Sequence, residues 1–572
     1  MRHKGSWAQK VRAAVIVGMA IGASVVPGFA GSALADDAAP PSTTPSSVQT
    51  FPSAEPPTQT ATETNEPTPE ASPSPSVSES APPSTPPGAC PTPSYPTPSH
   101  PTSAPSATPS RPTPDTSATP EPSCGPSATV TQALLYNAYE TLVKMDSDGN
   151  LRPLLAQEWA QSADRLTYTF HLNPAATFAS GAPVTAADVV TSFTRAQGAT
   201  VTPAIAAAMS VVKSVAALDE HTVTVTLSRP SNLWLEEISS TAGIIYDPAG
   251  LATLATATAG SGPYQLKQWN RGQTVVLEKN AKYWGTPARF DSVAFRYFDD
   301  ASAMSAAELA GEIDIIANLQ APDDLGRFAD PSRFTVLEGT TAGEVVLALN
   351  NARKPLADVR VRRAITMAID KAALLATVWS GRGTIIGSMA VPTDRWYEDL
   401  AAVNPYDPEQ AKALLKAAGH QKGLSLKLRV PTTAYATKSA EFVAGALGKV
   451  GIKVSVEKLD FTTWLDEVHD AGDYDLSIVA HLEARDLRRF TDKTYYFHYD
   501  NPDFVREFAR ADEAPTAEFV PDMKVAVRTL AQDAAAVWLF DLPNLVITRA
   551  GITGVGQNAA GLSFDLTTIA SR

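Results

Sequence analysis

Apolar and polar positions alternate with a period of two in the part of the chain that follows residue 127. In residues 166–172 (LTYTFHL) and in residues 222–227 (TVTVTL), apolar side chains occupy every second position. This period places the apolar side chains on one face of an extended strand and leaves the other face solvated. The pattern predicts strands of the antiparallel type in this region.

A helix with clear limits is predicted to begin at residue 408. Asp407 supplies an N-cap, Pro408 suits the first helical position, and Glu409 lies near the positive end of the helix dipole. Gly419 follows the last periodic position and is predicted to end the helix.

Strands and helices alternate after this helix. The sequence predicts, in order, a strand at 424–430, a helix at 436–450, a strand at 452–459, a helix at 462–471 and a strand at 474–480. Such alternation is typical of a parallel sheet covered by helices, so the predicted fold class is α/β. Because ligands of these sheets lie beyond the carboxyl ends of the strands, the segment 480–486 (AHLEARD) is a candidate site.

Composition separates residues 36–127 from the rest of the chain. Of the 46 prolines, 26 fall in this segment, and most of its other residues are Ser, Thr and Ala. Such a segment cannot bury enough apolar surface to offset chain entropy, so it is predicted to be a disordered, semi-rigid linker. The two cysteines, Cys90 and Cys124, both lie in it, and the sequence leaves open whether they are free, paired together or paired between chains.

Residues 1–35 have the pattern of an export signal. Four basic residues come first, an apolar run extends to Ala30, and Ala33-Leu34-Ala35 is a small-residue processing pattern ahead of Asp36. We expect cleavage there and an extracellular or cell-envelope location; a retained membrane anchor is the alternative. No cysteine follows the run directly, so a lipoprotein is not predicted.

The charge balance argues against two classes of partner. Of the formal net charge of −14, residues 1–35 contribute +4 and residues 36–127 contribute −8, which leaves −10 for the rest of the chain. Nucleic acids and anionic lipids bind Lys-rich and Arg-rich surfaces. Neither is therefore an expected partner.

The usual sequence signals of enzymes are missing. The chain contains no G-x-S-x-G elbow, no H-E-x-x-H helix and no G-x-x-x-x-G-K-[ST] loop, and no two histidines have metal-ligand spacing on one predicted element. No catalytic residue, metal or cofactor is predicted. His481 neighbours Glu483 and Asp486 at a strand end, where a role in a binding pocket is favoured over metal binding or catalysis.

Several longer motifs follow one another between residue 128 and the C-terminus. They are Tyr139-Glu140-Thr141-Leu142-Val143, Gly260-Ser261-Gly262-Pro263-Tyr264, Tyr283-Trp284, Gly311-Glu312-Ile313-Asp314 and Asp358-Val359-Arg360-Val361-Arg362-Arg363-Ala364. In content and order, this set resembles the peptide/nickel-type (family 5) extracellular solute-binding proteins of ABC importers. The resemblance covers essentially residues 128–572.

This resemblance implies a two-lobed clamshell of the type II, cluster C periplasmic-binding-protein kind. Lobe I would comprise about 128–345 and 545–572, including an extra subdomain at about 169–255, and lobe II about 346–544. The chain would cross between the lobes near 348–351 and near 540–544, where a hinge is expected. Closure over a ligand would shift the open-closed equilibrium, and a membrane partner would read the closed shape.

The resemblance also points to ligand-binding residues in each lobe. Peptide-binding relatives place an acid after the strand that corresponds to 474–480, and the local candidates are Glu483 and Asp486. The Gly-Trp pair often found there is replaced by Ala480-His481, and Arg485 could instead receive a ligand carboxylate. In lobe I the resemblance points to a set of four residues in one turn and to a fifth residue upstream: Gly260, Ser261, Gly262, Tyr264 and Thr129. The turn at 260–264 can equally serve only to shape the backbone.

The predicted function is binding without chemistry. A monomeric, exported protein would capture a dipeptide or oligopeptide and deliver it to an ABC permease. The alternatives are a metal chelate, an opine or an oligosaccharide as the solute, or a secreted hydrolase or adhesin that uses the linker as a stalk.

Overall fold

The computed structural model describes residues 14–20, 128–254, 256–298, 300–482 and 486–572. All of them belong to one compact unit. The strands are β1 (Ala14–Ala20), β2 (Val143–Met145), β3 (Leu151–Pro153), β4 (Ala156–Gln161), β5 (Thr167–Leu172), β6 (Val212–Ala217), β7 (Thr222–Leu227), β8 (Tyr264–Asn270), β9 (Thr274–Lys279), β10 (Ser292–Phe298), β11 (Ile315–Ile316), β12 (Phe334–Leu349), β13 (Leu424–Pro431), β14 (Ile452–Leu459), β15 (Leu476–His481), β16 (Ala536–Arg549), β17 (Ile552–Thr553) and β18 (Ala570–Ser571).

The α-helices are short in the first part of the chain and longer towards the end. They are α1 (Ala128–Leu134), α2 (Ala186–Ala196), α3 (Pro203–Met209), α4 (Trp234–Glu237), α5 (Ala301–Ala310), α6 (Lys354–Ala357), α7 (Val359–Met367), α8 (Lys371–Trp379), α9 (Pro408–Ala417), α10 (Ala434–Lys449), α11 (Phe461–Trp464), α12 (Pro502–Glu513) and α13 (Thr516–Asp533). Single 3-10 segments cover Thr241–Gly243, Pro248–Thr253, Pro322–Phe328 and Asp486–Thr491, and a π-helical segment covers Leu465–Asp470.

A mixed ten-stranded sheet runs through the molecule in the order β14-β13-β15-β12-β16-β11-β1-β10-β9-β8. Strand β13 is parallel to both β14 and β15, with α10 as the crossover between β13 and β14, which confirms the predicted parallel alternation. Strands β12 and β16 lie in the middle of this order and pair with each other along most of their length, so they connect the two halves of the sheet.

A separate four-stranded antiparallel sheet has the order β4-β5-β7-β6. Strand β7 has the predicted limits, and β5 begins one residue later than predicted. Buried residues alternate along both strands and pack with α2 into one core. The sheet includes β4 and so draws in residues upstream of 169, where the extra subdomain was predicted to begin.

The predicted helix signals at residue 408 are confirmed. The Asp407 carboxylate accepts a hydrogen bond of 2.9 Å from the Gln410 backbone N–H, and Pro408 is the first residue of α9. Gly419 follows the helix with a φ of +90°, a left-handed conformation that suits glycine. The predicted helix at 462–471 is instead a short α-helix, α11, followed by the π-helical turn.

Strand β16 contains the predicted crossing at 540–544, and β12 ends within the predicted crossing at 348–351. Their pairing is irregular between Thr340 and Glu344 and again between Val345 and Val346. Such bulges bend a strand and re-aim its side chains. The irregular stretch lies at the centre of the sheet, next to the predicted boundary of the lobes.

Strand β1 comes from the segment predicted to be an export signal. It pairs in parallel with β10 along its full length and with β11 at two positions. Its residues Val15, Val17 and Met19 are buried in the core beneath this part of the sheet. Export and cleavage remain predictions, and the structure adds a second role for the same seven residues.

Some predicted features lie outside the described residues. These are the linker at 36–127, with Cys90 and Cys124, and the site candidates Glu483 and Arg485. For Thr129 only the backbone is described, as part of α1. Within the described ranges, no helix combines the length and the apolar character needed to cross a membrane.

Candidate functional site

A cavity of about 170 Å³ opens between residues of predicted lobe I and residues of predicted lobe II. Its walls carry Tyr136 and Ser239 on the first side and Arg488 and Arg489 on the second. A larger cavity, of about 510 Å³, is lined entirely by residues between 351 and 533, all in predicted lobe II. Only the smaller cavity lies where closure of two lobes could enclose a solute.

An ion pair spans the smaller cavity. The Arg488 guanidinium contacts the Glu237 carboxylate at the end of α4. Burial raises the pKa of Glu237 to about 7, although the Arg488 charge opposes the rise. Because Glu237 and Arg488 belong to different predicted lobes, this pair forms only when the two walls approach each other.

The lobe I wall is fixed by a tyrosine in an uncommon backbone conformation. Tyr136 has a φ of +63°, its hydroxyl donates to the Ser239 carbonyl, and the same hydroxyl accepts from the Met145 backbone N–H at 3.0 Å. Burial raises the pKa of Tyr136 well above its usual range, so its hydroxyl stays neutral. The local sequence gives no signal for this role, since left-handed backbone at a tyrosine cannot be read from residue type.

His481 is the last residue of β15, which ends one residue later than the predicted strand at 474–480, and it lies in a closed polar network. Its Nδ1 is 3.0 Å from the Asp486 carboxylate and its Nε2 is 3.0 Å from the Tyr496 hydroxyl. The ring packs against both Tyr496 and Phe497, with centroid distances of 6.0 and 5.3 Å. Both ring nitrogens therefore have partners, and the ring position is fixed by packing.

Asp486 lines the cavity, but much of its bonding capacity is already used. Its carboxylate also receives the Arg489 Nε at 3.3 Å. Burial alone raises the pKa of Asp486, but the His481 hydrogen bond and the Arg489 charge outweigh burial and leave this pKa below its usual range. The carboxylate is therefore ionised and paired on two sides before any solute arrives.

The turn at Gly260, Ser261 and Gly262 packs against the interior of lobe I and not against the cavity. A Cβ atom on Gly260 would lie 2.0 Å from the Ala138 carbonyl oxygen, and one on Gly262 would lie 2.4 Å from the Asn137 carbonyl oxygen. Only glycine fits at either position. The sequence left two interpretations of this turn open. The geometry supports the one in which the turn shapes the backbone.

Ser261 and Tyr264 are both buried side chains. The Ser261 hydroxyl donates to the Glu140 carboxylate at 2.7 Å. Tyr264 is 1% exposed, and burial raises the pKa of its hydroxyl to about 12. Among the described side chains, these two belong to the interior of lobe I, so a role in ligand binding remains a prediction for both.

The described residues offer no metal centre. Within the described ranges, no three His, Cys, Asp or Glu side chains converge closely enough to hold a metal ion. What the site presents to a solute is a set of charged groups, two arginines and three acids, on walls from the two predicted lobes. Such walls can bind and orient a polar solute, and none of these groups is arranged as a nucleophile with a base.

The geometry defines a mixed α/β binding protein with a cavity between two lobes. Residues 150–486 match the model of the bacterial extracellular solute-binding proteins, family 5 Middle. The chain belongs to this family, whose members are the solute-binding components of ABC importers.

Relatives with known names are binding proteins. The chain is 32% identical to the probable D,D-dipeptide-binding periplasmic protein DdpA of Escherichia coli (strain K12), over 60% of this chain and 68% of that protein. It is 29% identical to the dipeptide-binding protein of the same strain, over 56% of this chain and 65% of that protein.

A solved structure shows the same fold. The periplasmic binding protein AgaA of A. tumefaciens R10, in complex with agropinic acid, superimposes with a TM-score of 0.66 and 25% identity, over 78% of this chain and 94% of that one. The predicted family and the predicted two-lobed fold class are therefore confirmed.

Proposed function

We propose that this protein is exported, captures a dipeptide or oligopeptide between its two lobes, and delivers it to an ABC permease. The observation that carries the proposal is the cavity between the lobes, which the Arg488–Glu237 ion pair spans. A solute held by both walls stabilises the closed arrangement in which this pair forms. Relatives named for dipeptide binding support a peptide as the solute.

An opine is the second candidate solute. It is favoured by the likeness to AgaA, which was solved with agropinic acid. It is also favoured by Arg488 and Arg489 on one wall of the cavity, because guanidinium groups bind carboxylates in a bidentate manner.

Thermal unfolding with solute pools tests the proposal. The pools are dipeptides, tripeptides to pentapeptides, agropinic acid, oligosaccharides and nickel salts. A ligand present at a hundredfold excess over its Kd stabilises the native state by about 2.7 kcal/mol, so a peptide pool is expected to raise the Tm by a few degrees. A rise with agropinic acid alone would replace the peptide with an opine, and no rise with any pool would remove the proposal.

A pair of arginine variants tests the closure step. Arg488→Gln removes the ion pair between the lobes, whereas Arg528→Gln removes an exposed pair with Glu398 inside predicted lobe II. We expect Arg488→Gln to weaken solute binding by about tenfold and Arg528→Gln to leave it unchanged. Equal effects would show that the pair across the cavity does not contribute to closure. Loss of solute uptake in cells that lack the protein tests the delivery step.

A further inference from the structure

Three side chains form a row across the centre of the main sheet. In the antiparallel pairing of β15, β12 and β16, His481 lies opposite Glu344, and Glu344 lies opposite Asp541. Residues that lie directly opposite each other project from the same face of a sheet, with Cβ atoms about 5 Å apart. The row therefore continues from Asp486, which lines the cavity and contacts His481, to Glu344 and Asp541 at the crossing strands.

The members of the row differ in how well they are satisfied. His481 has a partner on each ring nitrogen, and Asp541 accepts hydrogen bonds from the hydroxyls of Thr340 and Thr341. Glu344 is 4% exposed, and its Oε2 has no hydrogen-bond donor within the described part of the chain. A buried carboxylate oxygen without a donor loses its hydration and gains nothing in return.

The surroundings of Glu344 add to this cost. Burial raises the pKa of Glu344 well above its usual range, and the negative charges of Asp394, Asp486 and Asp541 raise it further. Burial likewise raises the pKa of Asp541, with Asp394 as a charged neighbour. Acids therefore approach Glu344 from β16, from the segment after β15 and from the loop that carries Asp394.

A positively charged nitrogen would offset both the missing hydrogen bond and the repulsion from the neighbouring acids. An ammonium or guanidinium group supplies N–H donors to the free oxygen of Glu344, and it offsets the repulsion among the acids. The described residues hold no metal-binding group that could serve this purpose. One end of the row is Asp486, which lines the cavity, so this end is the one that a solute in the cavity meets first.

We propose that Glu344 and Asp541 form a subsite for a positively charged nitrogen of the solute. The inference rests on the proposed function, and it moves the expected cation partner from the loop at 483–486 to the crossing strands. Asp486 then acts as a positioning residue, since it holds the His481 ring beside Glu344. The solute class is narrowed to those that carry an amine or guanidine.

Calorimetric titration of matched probes tests the subsite. The probes are Ala-Ala-Ala, N-acetyl-Ala-Ala-Ala, and 1,4-diaminobutane, a cation without a peptide. We expect the free-amine peptide to bind about tenfold more tightly than its acetylated form, and both Glu344→Gln and Asp541→Asn to bring this ratio close to one. Glu441→Gln, which removes an exposed carboxylate paired with Lys458, is the matched control and should keep the ratio.

The possible outcomes separate the subsite from the proposed function. Equal binding of the free and acetylated peptides by the wild-type protein would overturn the subsite and leave peptide capture intact. Binding of diaminobutane by the wild type but not by Glu344→Gln, with no peptide bound, would support the subsite and overturn peptide capture. Binding of no probe by the wild-type protein would overturn the subsite.

The pH dependence of peptide binding by the wild-type protein gives a second readout. A cation gains most when Glu344 is ionised, so binding of the free-amine peptide should strengthen as the pH rises through the raised pKa of Glu344. The other groups near Glu344 are Asp394, Asp486, Asp541 and His481, and of these Asp541, whose pKa is also raised, contributes to the same trend. A pH profile that is the same in the wild type and in Glu344→Gln would count against the subsite.

Discussion

Two buried glutamates show how differently two regions of the molecule surround a carboxylate. Glu140, in lobe I, is 0% exposed and accepts hydrogen bonds from the Ser261 hydroxyl at 2.7 Å, the Tyr283 hydroxyl at 2.7 Å and the Trp284 Nε1 at 3.0 Å. Glu344, on a crossing strand, is almost as buried, yet its Oε2 has no donor among the described residues.

This difference in hydrogen-bond donors indicates different roles for Glu140 and Glu344. Burial raises the pKa of Glu140 to about 7, and its three donors oppose that rise, so the group is held in place by the fold in either protonation state. Burial also raises the pKa of Glu344, but there neighbouring acids add to the rise. A carboxyl with a full set of donors joins parts of the fold, whereas Glu344 keeps one oxygen without a described donor, which is the oxygen that the proposed subsite offers to a solute.

The largest expected effect is at Glu140. Glu140→Ala leaves the buried Ser261 hydroxyl and the half-buried donors of Tyr283 and Trp284 without an acceptor, each at a cost of about 1 kcal/mol, so the free energy of unfolding should fall by about 3 kcal/mol. Urea unfolding measures this value. In the Glu140→Ala background, Ser261→Ala should cost little more, because its partner is already absent. A loss below about 1 kcal/mol would mean that the cluster does not join the fold.

A third buried acid, Asp512, should have an intermediate effect. At the end of α12 it accepts hydrogen bonds from Arg229 Nη1 at 2.7 Å, from Ser231 Oγ at 2.8 Å and from the Leu233 backbone N–H at 3.0 Å. These donors belong to predicted lobe I, so Asp512→Ala breaks a contact between the lobes.

For Asp512→Ala we expect a loss of about 2 kcal/mol in urea unfolding and a larger radius of gyration in solution scattering without solute. Asp522→Ala is the control, since it removes only a pair with the partly exposed Arg510 inside predicted lobe II. If both variants scatter like the wild type, the Asp512 contact does not hold the lobes together.

The smallest effect, and one of opposite sign, is expected at Glu344. Its folded pKa lies above its unfolded value, so protonation stabilises the folded state at low pH, and this contribution is lost as the pH rises through the folded pKa. Glu344→Gln has no carboxyl to titrate, so the variant does not lose stability at this position as the pH rises. Relative to the wild type without solute, the variant should gain stability between a pH below and a pH above the raised pKa of Glu344.

Paired unfolding series at the two pH values check this expectation, with Glu441→Gln as a surface control. A difference between Glu344→Gln and the wild type that stays constant with pH would show that Glu344 is satisfied in the folded protein. The comparison with Glu140 would then lose its basis.

Local patterns predicted much of the fold. The alternation at 222–227 gives β7, and Asp407 with Pro408 starts α9, because both signals lie within a few residues of the structure they specify. The parallel pairing of β13 with its neighbours follows from the alternation of strands and helices.

The candidate site was less predictable because it is made by distant pairing. His481 was predicted as a site residue from its place at a strand end. Nothing near Glu344 or Asp541 in the chain indicates that these two residues lie opposite each other in the same row. That arrangement depends on the register of three strands and on the bulge after Thr340. The Ser261 hydroxyl donates to Glu140, and the residues around Ser261 in the chain do not indicate this contact.

Strand β1 has a consequence for how the protein is made. Its seven residues fill the gap between β10 and β11, so the sheet is complete only when they are in place. If the predicted export takes place, these residues cannot lie in a secretion channel and in this sheet at the same time. A molecule trimmed after residue 35 would carry an open groove with two rows of unpaired backbone groups, ready to accept another extended segment.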